Sequence, residues 1–159
     1  MNRFALSATG LVAASASAAP IEINVRLDAY AGEAGLEIYN SASSLVGSFY
    51  VVGGYIFTSG AIDIDAFTPN TSFSSIAFDM LLVGDLAVGD YSIVLTDTYG
   101  DGWAWGGVNG GVLGYGGNAT GSGVAFSSGS SASGSFTVVP APAGLALLGL
   151  AGLSRRRRG

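Results

Sequence analysis

Residues 21–29 read Ile21-Glu22-Ile23-Asn24-Val25-Arg26-Leu27-Asp28-Ala29, in which apolar and polar side chains alternate without a break. Successive side chains of a strand point to opposite faces, so this segment has one wholly apolar face and one polar face, the pattern of a half-buried strand. The same alternation returns at Leu36 and Ile38, at Ile62 and Ile64, at Tyr91, Ile93 and Leu95, and at Phe136 and Val138. Gly-Gly, Asn-Ser, Pro-Asn and Gly-Asp steps between these segments suit turns. From Ile76 to Val83 the run is nearly continuous in apolar residues, as expected of a central strand covered on both faces. No window joins a helical period to capping residues. The expectation is an all-β domain over residues 19–137, an antiparallel β-sandwich or jelly roll.

Within that body, residues 106–134 stand apart, being dominated by Gly, Ser, Ala and Asn. Only Val108, Val112, Leu113, Tyr115, Val124, Ala125 and Phe126 can pack there. This composition predicts long loops around two weak strands, with a disordered linker as the alternative, because Gly/Ser segments bury little apolar surface against their chain entropy.

Both ends read as processing segments. After Met1-Asn2-Arg3, an uncharged stretch from Phe4 to Ser15 leads to Ala16-Ser17-Ala18, the small-x-small pattern that signal peptidase accepts. A signal peptide over residues 1–18, helical in its apolar part, is therefore expected. A cut after Ala18 avoids placing Pro20 immediately beyond the scissile bond. The other end, residues 138–159, carries Val139-Pro140-Ala141-Pro142-Ala143, then an apolar or Gly run from Gly144 to Leu153, then Arg155, Arg156, Arg157 and Arg158. Two prolines keep the first part extended. The uncharged stretch from Val138 to Leu153 would span about 24 Å as a helix, short of a bilayer core of about 30 Å. The Arg cluster stops transfer and holds the tail on the cytoplasmic side.

This ordered tail resembles the PEP-CTERM class of sorting signals, which exosortase-type membrane proteases recognise and cut. The resemblance covers about the last 20 residues. It implies export, transient anchoring in the inner membrane by the short apolar helix, and release to the cell surface or extracellular matrix, often in bacteria that make exopolysaccharide. Ala141 stands where the common form of the motif has Glu, a departure that bears on which exosortase subtype reads it.

Setting the ends aside changes the charge balance. All eleven acids lie between Glu22 and Asp101, and Arg26 is the single base between the two processed ends, so the body has a formal charge of −10. Nucleic acid and anionic lipid are poor partners for such a surface, since phosphate binding relies on Lys and Arg. Cations suit it. The chain has no Cys, His or Lys, which removes disulfide staples, Ser-His-Asp and Cys-His nucleophile systems, Schiff-base chemistry and His/Cys zinc sites.

The most distinctive segment of the body runs Thr96-Asp97-Thr98-Tyr99-Gly100-Asp101-Gly102-Trp103-Ala104-Trp105. Gly100 and Gly102 can take positive φ and let the chain curl. Asp97 and Asp101 would then face one point, as a hard cation such as Ca²⁺ requires, with Trp103 and Trp105 flanking the loop as candidate stacking surfaces for a ligand. The alternative is a plain turn whose Asp residues bond their own backbone and whose Trp caps the core. Tyr91 to Trp103 resembles the Asp-Ser-Tyr-Gly-Asp-Gly-Trp-Asn signature of secreted bacterial β-domains, with Thr98 in place of Ser and Ala104 in place of the final Asn. That resemblance implies a surface β-domain and leaves its ligand open.

Two weaker candidates complete the reading. Asp63 and Asp65, two apart on an expected strand, would point the same way roughly 7 Å apart, inside the window of an inverting glycosidase; a solvated outer face explains them equally. Tyr99 and Tyr115 join the tryptophans as possible sugar-stacking rings, against roles in packing. Asn70-Thr71-Ser72 and Asn118-Ala119-Thr120 match an acceptor sequon that carries little weight in a bacterial chain. Three classes remain: a non-catalytic surface or matrix protein associated with exopolysaccharide, a calcium-dependent carbohydrate-binding module, and a carboxylate glycosidase.

Overall fold

The computed structural model describes residues 18–141, and the expected signal helix and apolar sorting helix lie outside them. Among the described residues eleven strands run in chain order: β1 (Ala18–Leu27), β2 (Ala34–Asn40), β3 (Leu45–Val52), β4 (Tyr55–Gly60), β5 (Ile62–Asn70), β6 (Ala77–Ala87), β7 (Gly89–Asp97), β8 (Gly111–Gly117), β9 (Ala119–Gly121), β10 (Val124–Ala125) and β11 (Ser131–Val138). They form two antiparallel sheets, one ordered β10-β8-β1-β6-β5 and the other β4-β3-β2-β7-β11-β9. The sheets share one apolar core, so the all-β expectation holds and the arrangement is sandwich-like.

Strand β1 shows how the sequence pattern becomes the layer. Ala19, Ile21, Ile23, Val25 and Leu27 are all buried, and they meet Leu36, Ile38, Ile93 and Leu95 of the other sheet in the same core cluster. On its polar face, Arg26 lies directly across from Asp79 of β6. The guanidinium Nε donates to Asp79 Oδ1 at 2.6 Å and a second nitrogen to Oδ2 at 3.0 Å, while Asn70 Nδ2 also donates to Oδ2. These bonds hold the Asp79 carboxyl below its ordinary range. The single base of the body is thus spent on joining two strands.

The chain changes sheets between β4 and β5. Gly60 takes φ of +74°, and the next amide, of Ala61, donates to the Val46 carbonyl at 2.8 Å. A Cβ on Gly60 would collide with that carbonyl oxygen, and one on Gly84 with the Ala61 carbonyl, so the crossing needs glycine at both places. The β3–β4 hairpin before it turns on Gly53 and Gly54, both at positive φ, as a two-residue turn of the primed type demands. Period-two reading passes over this hairpin, because Leu45–Val52 and Tyr55–Phe57 are apolar on both faces.

Three boundaries differ from expectation. Residues 106–134 hold β8, β9, β10 and the start of β11 rather than two weak strands, and β8 sits inside its sheet beside β1. Backbone tethers gather this segment: Trp103 N–H donates to the Phe126 carbonyl and Phe126 N–H to the Gly110 carbonyl. Val138, assigned above to the tail, is fully buried in β11 and paired with Gly89 and Ala119. The described strand also starts at Ala18, and Ala19, which a cut after Ala18 would leave first, is buried. Val139, Pro140 and Ala141 leave the sheet and are exposed. Every buried side chain among the described residues lies between Ala19 and Val138, so that stretch closes its own core.

Candidate functional site

The site grows from the ends of two strands paired in register. Ala34 of β2 lies opposite Asp97 of β7, so the residue before β2, Glu33, comes to the turn that follows β7. Thr98 locks this contact, donating both its backbone N–H (3.0 Å) and its hydroxyl (2.9 Å) to the Glu33 carbonyl. Glu33 ends a short 3₁₀ turn over Ala31–Glu33 on the connection from β1 in one sheet to β2 in the other.

The turn itself curls as its glycines suggest, with φ of +92° at Gly100 and +82° at Gly102. Asp97 is buried, and its Oδ1 accepts from the Gly100 amide at 2.7 Å. Gly102 passes so close to Ser127 and Ser128 that a Cβ there would meet their backbone. The consequence is convergence: one carboxylate oxygen from each of Glu33, Asp97 and Asp101 lies within 4.8 Å of the other two. Partial burial, then the charges of Asp97, Asp101 and Asp28, raise the Glu33 carboxyl above its ordinary range. Three carboxylates at this spacing repel, and a hard cation among them would remove the repulsion by oxygen ligation.

Asp28 is the second buried acid of this end and works differently. One carboxylate oxygen accepts from the Tyr30 amide and the other from the Trp105 amide, each at 2.9 Å. It ties the end of β1 to the loop after Trp103, and so places Tyr30 and Trp105 edge to face, with centroids 5.2 Å apart. Tyr30, Glu33, Tyr99, Asp101 and Trp105 line a cleft of about 330 Å³. Tyr99 is 79% exposed and Trp105 49%.

The two tryptophans therefore divide. Trp103, proposed above as a stacking surface, is only 2% exposed: it packs against Phe49 and Phe126, and its indole N–H donates to the Thr96 carbonyl at 3.2 Å. It belongs to the core and cannot face a ligand. Trp105 remains available. Tyr115 is likewise removed from the list of stacking rings, since it lies against Phe136 with centroids 4.9 Å apart. Its hydroxyl is buried without a partner, and burial pushes its pKa up to about 12.

Asp63 and Asp65 are exposed on β5, but the register shifts between Ile64 and Ala66. Asp65 is the extra residue of that bulge, so the strict alternation that would aim both carboxylates the same way is broken. Asp63 Oδ1 accepts instead from Thr58 and from the amide of Ile64. Of the tail motif, Val139, Pro140 and Ala141 are described, whereas Pro142, Ala143 and Arg155 to Arg158 lie outside, as does Ala16 at the other end. Sequence reasoning missed Asp28, Tyr30 and Glu33, which precede the motif by some seventy positions; the one signal available was the break in period two after Ala29. No family model matches the chain, no curated protein matches it, and no solved structure matches it.

Proposed function

We propose that this chain is an exported, non-catalytic protein of the cell surface or extracellular matrix, cut by signal peptidase and an exosortase-type protease and associated with exopolysaccharide through its acidic and aromatic end. The ordered tail and the small-x-small N-terminal pattern support export. The lack of His, Cys and Lys, together with the broken alignment of Asp63 and Asp65, supports a binding role over a chemical one. The observation that carries the reading is the cleft in which the exposed rings of Tyr99 and Trp105 stand beside Glu33 and Asp101, since aromatic faces stack on sugar rings and carboxylates accept from sugar hydroxyls. Retention of residues 19–141 on secreted polysaccharide, lost in Trp105→Ala and kept in Asp63→Ala, tests it. Equal retention of both variants would sink it. Intact-mass measurement of surface material should show a chain that starts at Ala19 and lacks Arg155 to Arg158.

A second reading, calcium-dependent carbohydrate binding, is favoured by the convergence of Glu33, Asp97 and Asp101 from two separate parts of the chain. Under it, Ca²⁺ neutralises the three carboxylates and offers remaining coordination positions to sugar hydroxyls. Polysaccharide binding measured with Ca²⁺, with chelator, and with Na⁺ at matched ionic strength separates the two readings: loss in chelator supports calcium, and full binding there removes it.

A further inference from the structure

We infer that edge strand β4 is an association surface for a second copy of this chain, the two β4 strands pairing antiparallel about a two-fold axis. The sheets have four edges, and three are blunted. Strand β10 has two residues and β9 three, and the edge they leave open, Gly114–Gly117 of β8 and Ser131–Ser135 of β11, bears only Tyr115 as a large side chain, which stacks on Phe136. Strand β5 is long, but it carries the bulge at Asp65, two exposed carboxylates and Pro69, which has no N–H to donate. Strand β4, Tyr55–Gly60, has none of these devices: six residues, no charge, no proline, and an unbroken register with β3 from Val52↔Tyr55 to Gly47↔Gly60. Its outer backbone groups are a ready template for another strand.

The side chains around it agree. Tyr50, Val52, Tyr55 and Phe57 are all exposed on the hairpin, with Tyr55 at 74%, and Tyr50 stacks on Phe57 at 5.7 Å. Tyr55 and Ile56 also line an apolar cleft of about 510 Å³ with Val51, Ile64, Phe67 and Phe78. One strand therefore offers an unpaired backbone edge and a contiguous apolar patch, a combination that isolated monomers rarely leave open.

Charge and symmetry point to a copy of the same chain as the occupant. The body carries −10, yet residues 38–62 contain no charged side chain, so β4 itself brings no charge to the seam and the acid beside it, Asp63, is engaged by the Thr58 hydroxyl, whereas pairing through β5 would place both Asp63 and Asp65 in the seam itself. A two-fold axis normal to the sheet keeps each face on its own side. Centred on Phe57, it sets Phe57 opposite Phe57 of the second copy, Tyr55 opposite Ser59 and Ile56 opposite Thr58, and it fuses two six-stranded sheets into one of twelve strands.

The test is sedimentation of residues 19–141, which contain the whole described core, in chelator so that cation binding plays no part. A concentration-dependent dimer is expected. The double variant Tyr55→Lys/Phe57→Lys, at exposed positions, should raise the dissociation constant about tenfold or more, while Tyr99→Lys at the acidic cleft should leave it unchanged. Hydrogen exchange on the parent chain guards against misfolding of the variant: β4 amides should gain protection as concentration rises, and those of β5, β9 and β10 should not. A parent chain monomeric at every attainable concentration, or β4 amides indifferent to concentration, overturns the inference.

Discussion

Two pairs of aspartates, Asp97 with Asp101 and Asp63 with Asp65, meet opposite fates in this fold. The first pair sits where β7 runs out into a glycine turn; there Asp97 is buried, and Glu33 arrives from the paired strand to make a cluster of three. The second pair sits on edge strand β5, where a bulge at Asp65 breaks the alternation and both side chains are exposed. Spacing along the chain does not distinguish them in favour of the first, since Asp97 and Asp101 are four positions apart and Asp63 and Asp65 two. The difference lies in what each segment abuts. A strand end in register with another strand end imports that neighbour's side chains, whereas an edge strand faces solvent.

Breaking the support beneath the first pair should have the largest effect. Trp103→Ala removes the indole that packs on Phe49 and Phe126 below the turn, and a loss of about 3 to 5 kcal/mol is expected by urea unfolding. Trp105→Ala, on the exposed side, should cost only about 1 kcal/mol, chiefly its edge-to-face contact with Tyr30. Equal losses would mean that the two rings do not divide the work as described.

Under the calcium reading, the ion sharpens the contrast next. At a hundredfold excess over its dissociation constant, an ion bound by the folded state alone stabilises by about 2.7 kcal/mol, read as a rise in melting temperature beyond that given by Na⁺ at matched ionic strength. Glu33→Gln should abolish that rise, and in chelator it should melt no lower than the parent, because it removes a repelling charge. A calcium rise that survives this substitution would take Glu33 out of the cluster.

Under the same reading, Asp97 both holds the turn and ligates the ion, and the two can be separated. Asp97→Asn keeps an oxygen for the Gly100 amide, so it should differ little from the parent in chelator while losing the calcium response. Asp97→Ala should lose the response and also about 1 kcal/mol for the unmet amide. Identical behaviour of the two variants in chelator would show that the turn does not depend on this bond. The smallest effect is expected at the other pair: Asp63→Ala and Asp65→Ala should each fall within about 0.5 kcal/mol and keep the full calcium response.

Much of this was legible in one dimension. The alternation in Ile21 to Ala29 and in Tyr91 to Leu95 named both strands and their buried faces as far as the strands run, because side-chain direction in a strand has period two whatever its partner; β1 stops at Leu27, and Asp28, read as polar-face, is buried. The curl at Gly100 and Gly102 was legible too, since positive φ is cheap only for glycine. What the chain could not show locally was anything set by pairing. Residues 106–134 looked poor in structure, yet Val112, Val124 and Phe126 are buried in one core cluster with side chains of β1, β2 and β7. Their few apolar groups suffice because β1 and β7 supply the ladders that β8 and β11 complete.

The sequence by itself determined the period of the strands, the charge of the body, the chemistry its residue types exclude and the order of its terminal segments, all of which are read along the chain. Tertiary structure alone decided that Glu33 joins Asp97 and Asp101, that Asp28 pins Trp105 while Trp103 sinks into the core, and that β4 is left as the unguarded edge. Each of those outcomes depends on strand register and sheet order, which arise from which apolar faces bury one another across dozens of residues.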